Sequence, residues 1–216
     1  MKPINKVKIK WSPEFAYAIG LLTTDGNLSS DGRHITLTSG DKEQVENLAK
    51  CLGLENKIGR SLSGSGRYHF RIQFGNVHLY KFLGKIGLMP NKTKILNEVD
   101  IPKKYFFDFL RGHFDGDGSF WSYFDPRWHS SFMFYTIFVS ASEKHINWLR
   151  GEIEERIGIQ GHVTKAKLSS VYQLKYAKAD SLKLLPKLYY DARVICLSRK
   201  RLKIERALGV EGKSLK

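Results

Sequence analysis

The sequence predicts an α+β fold of two pseudo-symmetric αββαββα halves, 1–103 and 104–216. A pair of equivalent helices joins the halves, and antiparallel sheets on either side form a saddle. Two observations predict it, and a third says that both halves meet the same charged partner. A short motif occurs twice: "AIGLLTTDG" (Ala18 to Gly26) aligns with "LRGHFDGDG" (Leu110 to Gly118), setting Gly20 on Gly112, Asp25 on Asp117 and Gly26 on Gly118 at an offset of 92. The same order of helical and strand-like periodicities follows each copy. Finally, the basic excess is shared, with 16 basic against 9 acidic residues up to Lys103 and 20 against 12 beyond it.

After Asp25 come a short strand, the strand "HITLTS", the helix "DKEQVENLAKCLGL", a strand near "NKIGRSL", the strand "RYHFRIQF" and the helix "VHLYKFLGKIGL". After Asp117 come "SFWSYF", "FMFYTIFVS", the helix "SEKHINWLRGEIEERIGI", strands "GHVTKAKL" and "VYQLKYA", and the helix "ADSLKLLPKLYYDA". Alternation with β-branched or aromatic content marks the strands, and apolar spacing of three and four marks the helices. In the first of these helices Val45, Leu48, Ala49 and Leu52 share a face, and Asp41 is the expected N-cap. The segment "YFDPRWHSS" (Tyr123 to Ser131), with Arg127, Trp128 and His129, reads as a DNA-contacting loop or as a plain hairpin turn.

On the first motif helix Ala16, Gly20 and Thr24 fall on one face, and on the second Asp108, Gly112 and Gly116 do. Small residues at this spacing let two helices approach closely. Packed about a pseudo-twofold axis, they bring Asp25 and Asp117 together at the negative helix ends, with Gly26 and Gly118 expected to stop each helix in the left-handed conformation. Two carboxylates there repel unless a cation lies between them. An oxygen-rich site of this kind suits Mg²⁺, with Mn²⁺ or Ca²⁺ as substitutes, and fits metal-assisted phosphodiester chemistry. The bland reading makes the glycines packing residues and the aspartates turn residues, which two copies in register disfavour.

Other classes are excluded or disfavoured. "DGDGSF" starts like a calcium loop, but Phe120 and Pro126 stand where that loop needs glycine and glutamate. "LSGSGR" lacks the Lys-Ser/Thr of a P-loop, and the seven histidines show neither zinc spacing nor a His-Asn-His arrangement. Cys51 and Cys196 form no disulfide framework, which fits a reducing, intracellular compartment; no apolar run reaches the length of a membrane span, so a soluble protein is expected. The net charge of +15 points to a polyanionic partner, nucleic acid above all.

With these two motif copies the chain resembles the LAGLIDADG homing endonucleases in their single-chain form. The resemblance implies a monomer that straddles double-stranded DNA over about two helical turns and makes a staggered, metal-dependent double-strand break. It makes Asp25 and Asp117 the metal ligands, with the carbonyls of Thr24 and Gly116 as helpers. A lysine near the end of each half would support the attacking water: Lys92, or failing it Lys94, in "MPNKTK", and Lys200 in "LSRKRLK". Thr23 where the second motif has Asp115 departs from the pattern at a capping or packing position. Ser39 and Ala141 stand where relatives carry larger polar groups, which implies slow or asymmetric cleavage. Without intein ends, a free-standing or intron-encoded product is expected. The alternative on the same fold is an intron RNA maturase or a non-cleaving DNA-binding regulator.

The strands supply the base-reading surface. Tyr68, Phe70, Ile72 and Phe74 alternate with Arg67, His69, Arg71 and Gln73, and arginine and glutamine are the side chains that pair bidentately with guanine and adenine. His34, Thr36 and Thr38 alternate against Ile35 and Leu37. Gln173 and Lys175 oppose Tyr172, Leu174 and Tyr176, with Lys165 and Lys167 one strand earlier. Polar residues facing only water are the competing account.

Overall fold

In the computed structural model, residues 7–62, 66–165 and 171–215 are described, apart from the side chain of residue 129. The first motif lies on α1 (Pro13–Thr24), which starts where the Ser12 hydroxyl accepts from the Phe15 N–H at 3.1 Å and Pro13 presets the first helical turn. The second lies on α4 (Phe106–Asp117). The first half continues through β1 (Gly26–Leu28), β2 (His34–Ser39), α2 (Lys42–Leu52), β3 (Gly59–Leu62), β4 (Tyr68–Gly75) and α3 (Val77–Lys85). The second continues through β5 (Ser119–Asp125), β6 (Trp128–Ser140), α5 (Glu143–Ile157), β7 (His162–Lys165), β8 (Tyr172–Tyr176) and α6 (Lys178–Leu188). A further helix, α7 (Ser198–Val210), was not expected, because its apolar positions are few: Ile204, Ala207 and Leu208 are the buried ones.

Each half carries a four-stranded antiparallel sheet of the same order, β1-β2-β4-β3 and β5-β6-β8-β7, so the halves are pseudo-symmetric as expected. Arg127 stands at the turn of the β5–β6 hairpin, its N–H donating to the Asp125 carboxylate at 2.9 Å, and Asp125 pairs with Trp128. "YFDPRWHSS" is thus a hairpin end. The inner faces merge into one core that includes Leu21, Leu22, Ile35 and Leu37 from the first half and Phe114, Phe134, Phe138 and Leu174 from the second. Among the described residues no helix is long and apolar enough to cross a membrane.

The halves meet along α1 and α4. A Cβ on Gly20 would stand 2.6 Å from the His113 backbone nitrogen and nearer still to the Phe109 carbonyl, while one on Gly112 would collide with the Tyr17 carbonyl. Backbone therefore lies on backbone at the crossing, and only glycine allows it. Farther along, Gly116 makes room for Thr24, and a Cβ there would lie 2.8 Å from Asp25 Oδ2. Asp108 on the same stripe has another role: its carboxylate accepts from Arg111 Nη2 and the Tyr190 hydroxyl, both at 2.9 Å. Arg111, only 1% exposed, also donates to the Ile195 and Leu188 carbonyls and so ties the segment before α7 to α4.

The motif glycines act differently from expectation. Gly118 is extended (φ −78°, ψ 158°), and Gly26 is not among the glycines of positive φ. Gly26 opens β1 and Gly118 stands directly before β5, and a Cβ on either would strike the helix end behind it, at Leu22 and Phe114 respectively. The requirement is space, not handedness. Asp41 sits at the N-cap of α2 without a capping hydrogen bond; its carboxylate instead takes a two-pronged contact from Arg199 at 2.9 and 2.6 Å. Arg199 thereby fastens α7 to the first half.

Beside the crossing, two buried histidines meet. His145 Nδ1 lies 2.7 Å from the Asn97 carbonyl, so it carries the proton; its Nε2 then accepts from His113 Nε2–H at 3.0 Å. Burial holds His113 well below its ordinary value of 6.5 and pushes His145 down to about 4. The unfolded chain takes up these protons near pH 6.5, so the stability from the neutral pair is complete above that pH and is lost as pH falls toward 4.

Gly20→Ala should lower stability by ~2 kcal/mol or more through overpacking, read as a drop in the denaturant midpoint. Gly151→Ala, where nothing lies within 4 Å of the new Cβ, should raise it by about 0.5–1 kcal/mol. Nitrogen NMR of the histidine rings at pH 6 should find His145 protonated on Nδ1 and His113 on Nε2, and two imidazolium signals there would contradict the burial argument.

Candidate active site

Asp25 and Asp117 end the paired helices. Asp25 caps α1, its N–H donating to the Leu21 carbonyl. Its Oδ2 accepts from Gln44 Nε2 at 2.6 Å and lies 3.4 Å from the Thr24 hydroxyl. Burial raises its pKa, against the pull of Gln44, Lys200, Thr24 and Lys92. Asp117 is accessible from the cleft, yet the protein packed around it takes away enough water, with the charge of Asp25 adding to the effect, to raise it to about 6.

Two buried lysines answer this negative charge, one from each half, and both are only 6% exposed. Lys92, in a short 3-10 turn after α3, donates to the Gly26 carbonyl. Lys200, in the first turn of α7, donates around the equivalent Gly118 carbonyl (2.6 Å) and the α4 carbonyls of Phe114 (2.6 Å), Asp115 (2.8 Å) and Gly116 (3.2 Å). Lys200 caps the negative end of α4, and Lys92 holds the carbonyl of Gly26 just beyond the end of α1. Burial, opposed by the nearby aspartates, lowers both to about 8. Lys94 is exposed, and the geometry selects Lys92 over it.

Some site residues gave no signal in the sequence. Gln44, buried on α2, is oriented by the Ser39 hydroxyl, which donates to Gln44 Oε1 at 2.9 Å and accepts from the Asp41 N–H at 3.0 Å; the amide nitrogen is thereby aimed at Asp25. The strand register makes Ser140, not Ala141, the counterpart of Ser39, since Ser39 pairs with Phe70 as Ser140 pairs with Tyr172. His145 then occupies the place of Gln44 and turns to His113 instead. Asp115 is fully buried and raised to about 6; its Oδ2 accepts from the Tyr17 hydroxyl at 2.8 Å and the Leu197 N–H at 2.7 Å.

The donors at the centre suit a hard divalent cation. They are two carboxylates whose mutual repulsion a cation would relieve, with the Gly116 carbonyl close by though shared with Lys200. Among the described residues no group of three or more His, Cys, Asp or Glu side chains converges to hold a metal. One or two carboxylates completed by water and phosphate oxygens is the usual mode for Mg²⁺.

The outward face of the first sheet carries Arg71 and Gln73, both exposed, with Arg71 Nη2 donating to Gln73 Oε1 at 2.6 Å; Thr38 is exposed and His69 half-buried. Arg67 lies just before β4. His34 is held by Asp31, and Thr36, outward by alternation, is only 6% exposed between Asn27 and Gln73, so it is not an open reading residue. In the second sheet Gln173 and Lys175 face outward, opposite Val139 and Ile137. Lys165 pairs with Tyr172 on the other face and lies 5.2 Å over its ring, so it is not on the outward face as expected. Lys167 is outside the described residues.

No family model matches the chain. An uncharacterized protein of Methanocaldococcus jannaschii is 30% identical over 128 residues, 54% of this chain and 44% of that protein, so the chain spans less than half of that relative. Among solved structures, the homing endonuclease I-WcaI bound to its DNA recognition sequence aligns with a TM-score of 0.61 at 12% identity, over 90% of this chain and 88% of that one. The I-LtrWI LAGLIDADG homing endonuclease bound to target DNA aligns at 0.60 and 13%, over 93% and 91%. Full-length DUF199/WhiA from Thermatoga maritima aligns at 0.57 and 16%, over 97% of this chain but 64% of that one.

Lys200→Met should lower stability by ~2 kcal/mol or more by leaving the α4 carbonyls without their donor, checked by thermal or urea unfolding. The chain has a LAGLIDADG-like two-half fold, related to that of the homing endonucleases and of DUF199/WhiA.

Proposed function

We propose that the protein is a DNA endonuclease that depends on a divalent metal and makes a staggered double-strand break in a long duplex target. One observation carries this reading: at the ends of the paired motif helices the charge of Asp25 acts on Asp117, and a buried lysine from each half, Lys92 and Lys200, acts on both carboxylates. The DNA-bound homing endonucleases of the same fold support it. Asp25 and Asp117 would hold Mg²⁺, which when bound supplies Lewis-acid polarisation of the scissile phosphodiester and lowers the pKa of a coordinated water.

The chain's own residues do the rest. Gln44, fixed by Ser39, holds Asp25 in one orientation. Lys92 and Lys200, with pKa values of about 8, keep positive charge beside the centre at neutral pH and offset the charge that builds on the phosphate during attack. Lys200 has three N–H groups among four carbonyls, so its part is to position and neutralise the α4 end. Arg71 and Gln73 would read base edges in the major groove.

A non-cleaving DNA-binding regulator or an intron RNA maturase is the second reading, and one observation favours it: Asp25 already has a partner in Gln44 at 2.6 Å. A randomised duplex library, incubated with Mg²⁺ and separately with EDTA plus Ca²⁺, decides between them. A long motif enriched among Mg²⁺-dependent cut ends supports the endonuclease, whereas enrichment by binding alone supports the regulator.

Asp25→Asn and Asp117→Asn should each slow cleavage at least about a hundredfold while changing DNA affinity little, since even residues behind a metal ligand are worth roughly 10–100-fold. Gln44→Ala should cost about 10–100-fold. Arg71→Ala should weaken binding by ~1–3 kcal/mol and relax specificity at one base pair, measured by competition among single-substitution targets.

A further inference from the structure

The outward faces of the two sheets differ in kind. At equivalent register the first sheet presents His34, Thr36 and Thr38 along β2, and the second presents Tyr135, Ile137 and Val139 along β6. Across from Tyr135 on the same face stands Trp121, 58% exposed, with Tyr123 two residues on. The rings of Trp121 and Tyr123 are 5.2 Å apart, and those of Tyr123 and Tyr135 lie within 9° of parallel at 6.4 Å. This face is opposite the core, which is filled from the same strands by Phe120, Phe134 and Phe138. Trp128, at the hairpin end, is 70% exposed.

An exposed aromatic strip of this kind marks a binding surface. Duplex DNA offers base edges to a groove, read chiefly by arginine, lysine, asparagine and glutamine, and the outward face of β5 and β6 presents rings and aliphatic side chains at Trp121, Tyr123, Tyr135, Ile137 and Val139 instead. Unpaired bases offer their faces, and stacking on an aromatic side chain is worth ~1–3 kcal/mol per base. Lys175 and Gln173 border the strip on β8, and His162 stands opposite Lys175 on β7, which favours a polyanion there over a second copy of a chain whose net charge is +15. β5 starts at Ser119, two residues after Asp117, so a strand lying along it leads to the candidate centre.

We infer that the second sheet takes unpaired DNA bases, resting on Trp121, Tyr123 and Tyr135, so that the duplex target opens on that side away from the cut and a target already open there is held more tightly. The identity of the strand rests on the endonuclease reading. The first sheet reads paired bases, and the second holds bases out of the stack.

Fluorescence polarisation in EDTA plus Ca²⁺ tests this, comparing a labelled duplex, the same duplex with one unpaired DNA arm, and the same with an unpaired RNA arm. The native protein should bind the DNA-armed form about tenfold more tightly than the full duplex, and oligo(dT) should quench its tryptophan fluorescence. Trp121→Ala and Tyr135→Leu, checked for folding by thermal unfolding, should remove the preference and leave duplex affinity unchanged, while Arg71→Ala should weaken both forms. Equal binding of the first two forms, a preference that survives Trp121→Ala, or a stronger preference for the RNA arm would overturn the inference. So would a native dimer that Trp121→Ala dissociates. If the full duplex is bound and cut without a preference for the armed form, this inference fails and the endonuclease reading stands; if no DNA is bound, both fail.

Discussion

The structure depends on a balance of charge at one point. Two helices end side by side, each with its negative pole and an aspartate there, and the chain places a buried lysine from each half against them. Lys92 on the Gly26 carbonyl and Lys200 on the Gly118 carbonyl are equivalent partners, although the residues that deliver them share no motif. Without them four negative groups would face one another in a partly dried cleft. With them the negative charge of the two aspartates is partly offset, although burial still raises both pKa values. The contact between Gly20 and Gly112 sets how close the helix ends come, so the packing of the crossing and the electrostatics of the centre are one constraint.

The sequence makes the frame legible because the frame repeats. Gly20 and Gly112, Asp25 and Asp117, and the alternation of β2, β4, β6 and β8 all carry patterns with a period or an offset. The remainder is tertiary. Gln44 lies on an amphipathic face like many others, and only the hydroxyl of Ser39 and the position of Asp25 give it a task. His113 and His145 are 32 residues apart and meet solely because α4 and α5 pack on one sheet. α7 has too few apolar positions to stand out, yet it delivers Lys200. Gly26 and Gly118 stand where the repeat places them, but crowding against Leu22 and Phe114, and not a left-handed turn, demands them.

The pseudo-symmetry of the backbone hides a divergence of surfaces. The two sheets share order and register, but one outward face is polar and basic while the other is aromatic. The centre is unequal as well: Asp25 is held by an amide, and the position equivalent to Gln44 holds a neutral histidine that turns to His113. A repeated fold thus gives two chemically different halves, which fits a partner whose two sides differ.

The central claim is that Asp25 and Asp117 form one cation site. Titration of Mn²⁺ into the protein, with free Mn²⁺ followed by electron paramagnetic resonance, tests it most directly. The account predicts binding that competes with Mg²⁺ and is lost when either aspartate is changed to asparagine. Binding that survives both substitutions, or its absence in the native protein with or without DNA, would contradict it.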